Sequence, residues 1–415
     1  ASVFGEIARL STRGATVASY TAAGNVRRGL TDAGFAVERL PGFGNKRHRI
    51  EAVYQHGSSA AEFSPSIEIS GAGIAGLSLA RSLRRRGVEV RLWDPDPRLG
   101  ASTNPFAMVS PRINRMDDPQ SRFQVRAFEY AARLYREDAA FLACGVLRLA
   151  VDGELDDRFA KAIDSGTLGF GASRMVSAER SSALTGVELS HRGLWMPEGG
   201  VLVPQKLWLR LRSELEICAS RPPTDSGEAS RWIAHGPWAT SDLEALPMRI
   251  SRGQRSVCRS SGAAQRLRCV VSAHGYISPA IDGRHGVGAS YQRAELSSNA
   301  NAICDADDRD NVARVGAWSP QLAAGLEVLE SRAALRALVP DHMPLIGPWG
   351  SKVVLGALGS RGFSLAPLGA EVIVSTALGM CPPLERAGRA AVSPERFRKR
   401  LRNGSAPATC LRDLP

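Results

Sequence analysis

One ten-residue stretch constrains this chain more than any other: Ile67-Glu68-Ile69-Ser70-Gly71-Ala72-Gly73-Ile74-Ala75-Gly76. It reads as a short apolar strand that turns through G-x-G-x-x-G into a helix. A second strand, Val88 to Trp93, ends on Asp94. That spacing fits a dinucleotide-binding βαβ unit. Gly71 permits a tight turn, Gly73 lets backbone approach a pyrophosphate, and Gly76 lets helix and strand pack closely. The helix start, with Ile74 and Ala75, offers free N–H groups and a positive dipole end to phosphates. Asp94 is placed to accept from a ribose. With 41 glycines in 415 residues, about 0.4 such patterns arise by chance. The strand, the helix and the timed acid therefore carry the reading.

The chain has room for two or three domains and a large core. No apolar run is long enough to span a membrane, and no signal peptide is visible. The first residues, Ala1 to Gly5, lack an initiator Met, so a fragment is expected. Seven cysteines are scattered without a C-x-x-C pair. They read as free thiols of a reducing, cytoplasmic compartment, and neither they nor the seven dispersed histidines form a metal cluster. The net charge of +12 fits either a polyanionic partner such as nucleic acid or an arginine-rich solvated surface.

Residues 1–55 alternate strand, helix and two strands, and 56–66 read as a polar linker. Asp118-Pro119 starts a helix with one apolar face. Residues 250–291 are strand-rich. Leu322 to Leu329 is expected to be helical, Lys352 to Leu355 a strand, and Ser364 to Leu378 a helix. Ser393-Pro394-Glu395 is expected to cap a basic helix through Arg402. Arg84-Arg85-Arg86 reads as the solvated end of a helix. Lys46-Arg47 and Arg398-Lys399-Arg400 with Arg402 read as solvated faces that could touch phosphates.

Two further stretches carry a family likeness: Val339-Pro340-Asp341-His342-Met343-Pro344-Leu345-Ile346-Gly347-Pro348 and Gly356-Ala357-Leu358-Gly359-Ser360-Arg361-Gly362-Phe363. Together they resemble the C-terminal signature of FAD-dependent oxidases of the D-amino-acid oxidase superfamily. More narrowly, with Gly100 to Asn104, Arg252-Gly253-Gln254 and Gly275 to Tyr291, the chain resembles the FAD half of bifunctional enzymes that modify the tRNA wobble uridine. Residues 1–55, with Tyr20 to Leu30 and Gly42 to Arg47, resemble the end of that family's methyltransferase half. The glycine-rich loop for S-adenosylmethionine is missing, so no methyl transfer is expected of this chain.

The resemblance implies an α/β (α+β) fold: an FAD-binding Rossmann-like βαβ domain beside an antiparallel-sheet substrate domain, over residues 67–415. The FAD parts fall near 67–145, 193–245 and 340–385, and the substrate parts near 146–192 and 246–339. It implies oxidative removal of the carboxymethyl group from a 5-carboxymethylaminomethyluridine in tRNA, leaving an aminomethyluridine. A guanidinium is needed for the substrate carboxylate, and Arg336 takes that slot with Tyr276 as hydroxyl partner. FAD would be held by Gly71, Gly73, Ile74, Ala75, Gly76, Asp94, Ser102 and Asn104, and by Gly359, Ser360, Arg361, Gly362 and Phe363. Tight binding at the Gly359 helix start would favour negative charge on the cofactor. His285 and His342 are given no proton-transfer role. Thr103 and Ala107 replace usual glycines, His235 replaces a small residue, and 216–231 is short, which puts cofactor retention and one adenine-side strand in doubt. An oxidase of free glycine-like amino acids and a non-catalytic flavoprotein remain open as alternatives.

Overall fold

The computed structural model describes residues 3–42, 44, 46–57, 66–95, 100–168, 173–219, 231–297 and 299–398. The linker core (58–65) and the basic stretch beyond Arg398 lie outside them. The chain divides into two compact units, Ala1–Ser64 with Ser375–Cys381, and Pro65–Val374 with Pro382–Pro415.

In the smaller unit the strand Thr16–Ser19 and the hairpin Phe35–Pro41/His48–Tyr54 form an antiparallel three-stranded sheet with His48–Tyr54 central. Leu30 of the helix Gly24–Asp32 packs with Phe35, Ile50 and Ala52 in a small core. Lys46 lies with its ammonium 5.8 Å from the Tyr20 ring centre.

The larger unit holds two layers of sheet that position the site. One is six-stranded. Ile217–Cys218, Glu89–Trp93, Ser66–Ser70, Arg231–Ile233 and Lys352–Gly356 run parallel in that order, and Leu345–Trp349 closes the edge antiparallel. Ile67 and Ile69 are completely buried, as a central parallel strand covered on both faces requires. The glycine turn feeds the helix Ile74–Arg84, and a Cβ on Gly76 would sit 1.8 Å from the Gly71 carbonyl oxygen. Gly76 is thus the close helix–strand contact. The helix end is less solvated than expected: Arg86 pairs with Glu371 at 2.8 Å and is only partly exposed.

The second sheet has nine strands. Its spine is the antiparallel pair Arg249–Ser260 and Leu326–Leu338, in register from Arg249 opposite Leu338 to Ser260 opposite Leu326 with one bulge at Val257/Cys258. The expected helix over 322–329 is therefore wrong. A short helix covers Pro320–Ala323, and from Leu326 the chain is strand. Leu-Glu-Val-Leu-Glu has no decisive period, and pairing with a twelve-residue partner strand decides it. A helix absent from the sequence expectations, Asp305–Gly316, packs on this sheet through Asp307, Asp308 and Asn311. Asp307 pairs with Arg252, and Asp308 accepts from Ser256 and Ser331. The cap at Asp118 forms as expected, accepting from the Ser121 N–H at 2.7 Å. Near the end, Ser393 caps a 3-10 turn, Pro394–Phe397, and residues 399–402 of the expected helix lie outside the described residues.

Candidate active site

A cavity of about 370 Å³ opens at the carboxyl ends of the parallel strands, where open α/β sheets bind ligands. Ser70, Trp93, Asp94, Ala234, His235 and the run Leu355–Ser360 line it. Gly71, Gly73, Ile74, Ala75, Ser102, Asn104, Gly359, Gly362 and Phe363 line it too. Two of the proposed cofactor residues do not: Gly76 is used in packing, and Arg361 lines a second cavity instead.

The glycine turn is held open by its own hydrogen bonds. Asp94 Oδ2 accepts from the Ala72 N–H at 2.7 Å, and Ser102 Oγ from the Ile74 N–H at 2.9 Å. Asp94 is therefore a brace of the turn as well as a wall of the cavity. Gly73 begins the helix with no side-chain cap, and a Cβ there would lie 3.0 Å from Ser102 Oγ. Gly71 takes φ +105°, with the Ala234-His235 backbone 2.5–2.6 Å from where its Cβ would be; only glycine fits. Thr103 does not constrict the loop. Its hydroxyl accepts from Arg332 Nη2 at 2.6 Å, and Arg332 Nε reaches Asn104 Oδ1 at 3.2 Å. Ala107 is absorbed into the strand Ala107–Val109. Residues 220–230 of the short segment lie outside the described residues, while Ile217–Cys218 and Arg231–Ile233 flank it as parallel strands.

His235, noted in the sequence only as a departure from a small residue, is fully engaged. Its Nδ1 shares a hydrogen bond with Ser70 Oγ, and Nε2 lies 3.1 Å from Asp242 Oδ2. Burial pushes its pKa down, partly offset by Asp242. His285 is completely buried between Ser278 O at 2.8 Å and Ser260 Oγ at 2.7 Å, a structural role. His342 is lowered by burial and by Arg112.

A second cavity of about 140 Å³ meets the first at Arg255, Arg336 and Ser360. Arg148, Arg314, Arg361, Tyr276 and Tyr291 complete its charged and aromatic wall, and no Asp or Glu lines it among the described residues. Arg336 stands opposite Ser251 in the long strand pair. Arg336 as a residue is 3% exposed, and neither Nη1 nor Nη2 has a hydrogen-bond partner among the described residues. It lies over Gly253, where a Cβ would be 2.1 Å from Nη1, and its Cζ is 4.6 Å from the Tyr291 ring centre. Gly253 is the functional position that sequence reasoning missed. Arg252-Gly253-Gln254 carried the likeness, but only the cross-strand register shows what the glycine makes room for. Burial pushes the Arg336 pKa below its usual value. Tyr291 is lowered: burial opposes ionisation, but Arg336, a hydrogen bond to Ser360, Arg361 and Arg255 outweigh it. The Tyr276 hydroxyl is buried without a partner, where a core tyrosine would have one.

A cavity on a glycine turn and a helix start, joined to a cationic pocket under an antiparallel sheet, defines an FAD-dependent oxidoreductase, and the residues fit that cofactor. The FAD-dependent oxidoreductase family model matches residues 67–216 and 228–376. Residues 1–55 match a model of S-adenosyl-L-methionine-dependent methyltransferases. The chain belongs to the family of tRNA 5-methylaminomethyl-2-thiouridine biosynthesis bifunctional proteins, MnmC. It is 34% identical to the one from Nitrosospira multiformis over 95% of its length and 70% of that relative's, and 36% identical to the one from Caulobacter vibrioides over 92% and 66%. Among solved structures it is similar in fold to glycine oxidase from Geobacillus kaustophilus (TM-score 0.66, 17% identity, 80% of this chain and 99% of that one) and to iminodiacetate oxidase from Chelativorans sp. BNC1 (0.64, 20%, 79% and 98%). FAD is the cofactor of this family, and no helix among the described residues is long and apolar enough to cross a membrane.

Proposed function

We propose that this protein oxidises the carboxymethylaminomethyl side chain of a wobble uridine in tRNA, releasing glyoxylate and leaving the aminomethyl nucleoside. The observation that carries this is the buried, unpartnered Arg336 fork where the two cavities meet. An uncompensated buried cation is costly, and a carboxylate relieves it through two parallel charge-assisted hydrogen bonds. That grip fixes the substrate's acid end at one orientation, which converts binding into positioning.

The cofactor's dinucleotide part would lie along Gly71, Gly73 and the start of Ile74–Arg84, with Asp94 and Ser102 holding the turn in shape. Its ring would lie toward Gly359, Gly362 and Phe363 beside Arg336. Bound FAD supplies the acceptor for the two electrons that leave the substrate's C–N unit. The chain's own tasks are then simple. Arg336 holds the carboxylate, Gly253 gives the guanidinium its seat, and the free Tyr276 hydroxyl is available as a second donor to the substrate. The cationic wall, without acids, leaves no protein carboxylate to compete with the substrate's. Hydrolysis of the oxidised C–N bond gives the primary amine and glyoxylate. The net charge of +12 favours encounter with a polyanion.

The test is nucleoside analysis of carboxymethylaminomethyl-bearing tRNA after incubation with the FAD-loaded protein. Accumulation of the aminomethyl nucleoside with stoichiometric glyoxylate is expected. Unchanged tRNA from a fully flavinated sample, or turnover of free glycine or sarcosine that tRNA does not inhibit, overturns the reading.

A further inference from the structure

Arg336 satisfies one carboxylate, yet four more arginines line the same small cavity. Two have protein acceptors: Arg255 donates to the Phe106 carbonyl at 3.0 Å, and Arg314 to the Ala289 carbonyl at 2.9 Å. Arg148 and Arg361 have no side-chain hydrogen bond to the described residues. Burial, and then the like charge of Arg361, push Arg148 down to about 9, while burial lowers Arg361 with Tyr291 opposing. Two half-buried cations, in a cavity whose described lining holds no carboxylate, are placed to take an anion from outside.

That anion is not the one Arg336 holds. The cross-strand register runs Arg148, Ser272, Tyr276, Gly288, Arg255, Arg332, one residue per strand. Directly opposed residues share a face. Arg148 and the strand of Arg336 thus sit at the two ends of one row, five strand steps apart, and both side chains reach the one cavity between them. The nearest charges of Arg336 and Arg148 differ too, with Tyr291 between them facing both Arg336 and Arg361. Arg336 feels Tyr291, Arg255 and Tyr276, whereas Arg148 feels Arg361, Arg158 and Arg112. A glycine-like substrate has one carboxylate and nothing for the far end. A nucleotide within RNA carries a second kind of anion, its phosphodiester.

We propose that Arg148, with Arg361, forms a second anion subsite that takes a backbone phosphate of the RNA beside the nucleoside whose carboxylate Arg336 holds. The inference rests on the tRNA reading above and deepens it, because it makes the cavity a two-point gauge. The acid end is read at Arg336 and the phosphate at Arg148, so the site selects a nucleotide over a free amino acid by charge spacing.

The experiment compares three substrates with the FAD-loaded full chain: 5-carboxymethylaminomethyluridine, its 5′-monophosphate, and an anticodon stem-loop containing it. Steady-state glyoxylate release gives kcat and KM, single-turnover flavin bleaching gives the rate of the chemical step, and fluorescence anisotropy of the stem-loop gives Kd across a salt series. The wild type is expected to favour the phosphate-bearing substrates, and R148Q to shrink that preference ten- to a hundredfold, through KM. R148K is expected to restore part of it, since a point charge still binds phosphate. In R148Q the slope of log K against log salt should flatten by about 0.7, the amount due to one phosphate on single-stranded RNA that is no longer neutralised. A preference for the stem-loop but not the monophosphate places the bound phosphate at a neighbouring nucleotide and still supports the subsite. R148Q with an intact preference and an unaltered salt slope overturns it, as does an equal loss for the nucleoside, which makes Arg148 a support of the fold. A wild-type flavin that none of the three bleaches defeats the tRNA reading itself.

Discussion

The two joined cavities are built on opposite plans. The cofactor end is made of backbone: glycines at 71 and 73, a helix start, and side chains such as Asp94, Ser102 and His235 already spent on holding that backbone. The other end is made of side chains with little to hold: Arg336, Arg148, Arg361 and the Tyr276 hydroxyl. The first plan buries few unmet demands and accepts a ligand by shape and dipole. The second stores unmet demand and releases it when an anion enters. One end is therefore preorganised at little cost, while the other lowers the stability of the free protein in exchange for affinity.

The sharpest way to break this contrast is at Gly76. A Cβ 1.8 Å from the Gly71 carbonyl oxygen must move the turn, so G76A is expected to purify with far-UV circular dichroism of a folded protein but almost no absorbance in the flavin band. Flavin retained at wild-type stoichiometry would show that the turn tolerates displacement. Next in size is R336Q. Truncating one partner of a buried charge pair costs about 2–5 kcal/mol, or roughly 30-fold to several thousandfold in kcat/KM, with the flavin retained. Because the removed charge is unpaired in the free protein, the Tm should hold or rise; a marked fall would mean that Arg336 serves the core. G253A acts on the same clamp from below. It is expected to raise KM about tenfold to a hundredfold through a displaced guanidinium while kcat falls less, and G253A kinetics matching the wild type would show that Arg336 has another seat.

The smallest effect concerns pH. Tyr291 has its folded pKa below the ordinary tyrosine value. The stability it contributes is therefore present above the unfolded pKa near 10 and is lost as pH falls through the folded value. While the phenol is protonated, Arg336 is free for the substrate. As pH rises through a value below about 10, phenolate forms beside the guanidinium and competes with the carboxylate. Affinity for a carboxylate inhibitor should weaken severalfold there, and Y291F should remove that limb. An identical profile in Y291F would assign the limb to another group.

The cofactor end was legible in the sequence because its logic is local. A turn, a helix start and an acid at the next strand end are all within about 25 residues of one another, and Gly71, Gly73 and Asp94 line the cavity as that logic expects, while Ser102 and Gly362 were reachable only through family likeness. Arg336 and Tyr276 were reachable only through family likeness. Gly253 and Arg148 were not reachable at all, since their meaning lies in a register between strands far apart in the chain. The strand over 326–338 failed for the same reason. Its local pattern is indifferent, and its partner Arg249–Ser260 settles the matter. Arg361 was read as part of the cofactor motif because its neighbours are; one residue of turn aims it at the other cavity.

Arg332 ties the 100–104 loop to the same strand that carries Arg336 four residues on. The two guests of this protein thus lean on one beam. Settling the first steadies the footing of the second, and by reciprocity the second must tighten the first by an equal factor. Apoprotein should hold carboxylates poorly, and a carboxylate should slow the escape of flavin, which gives the protein a preferred loading order without any moving lid.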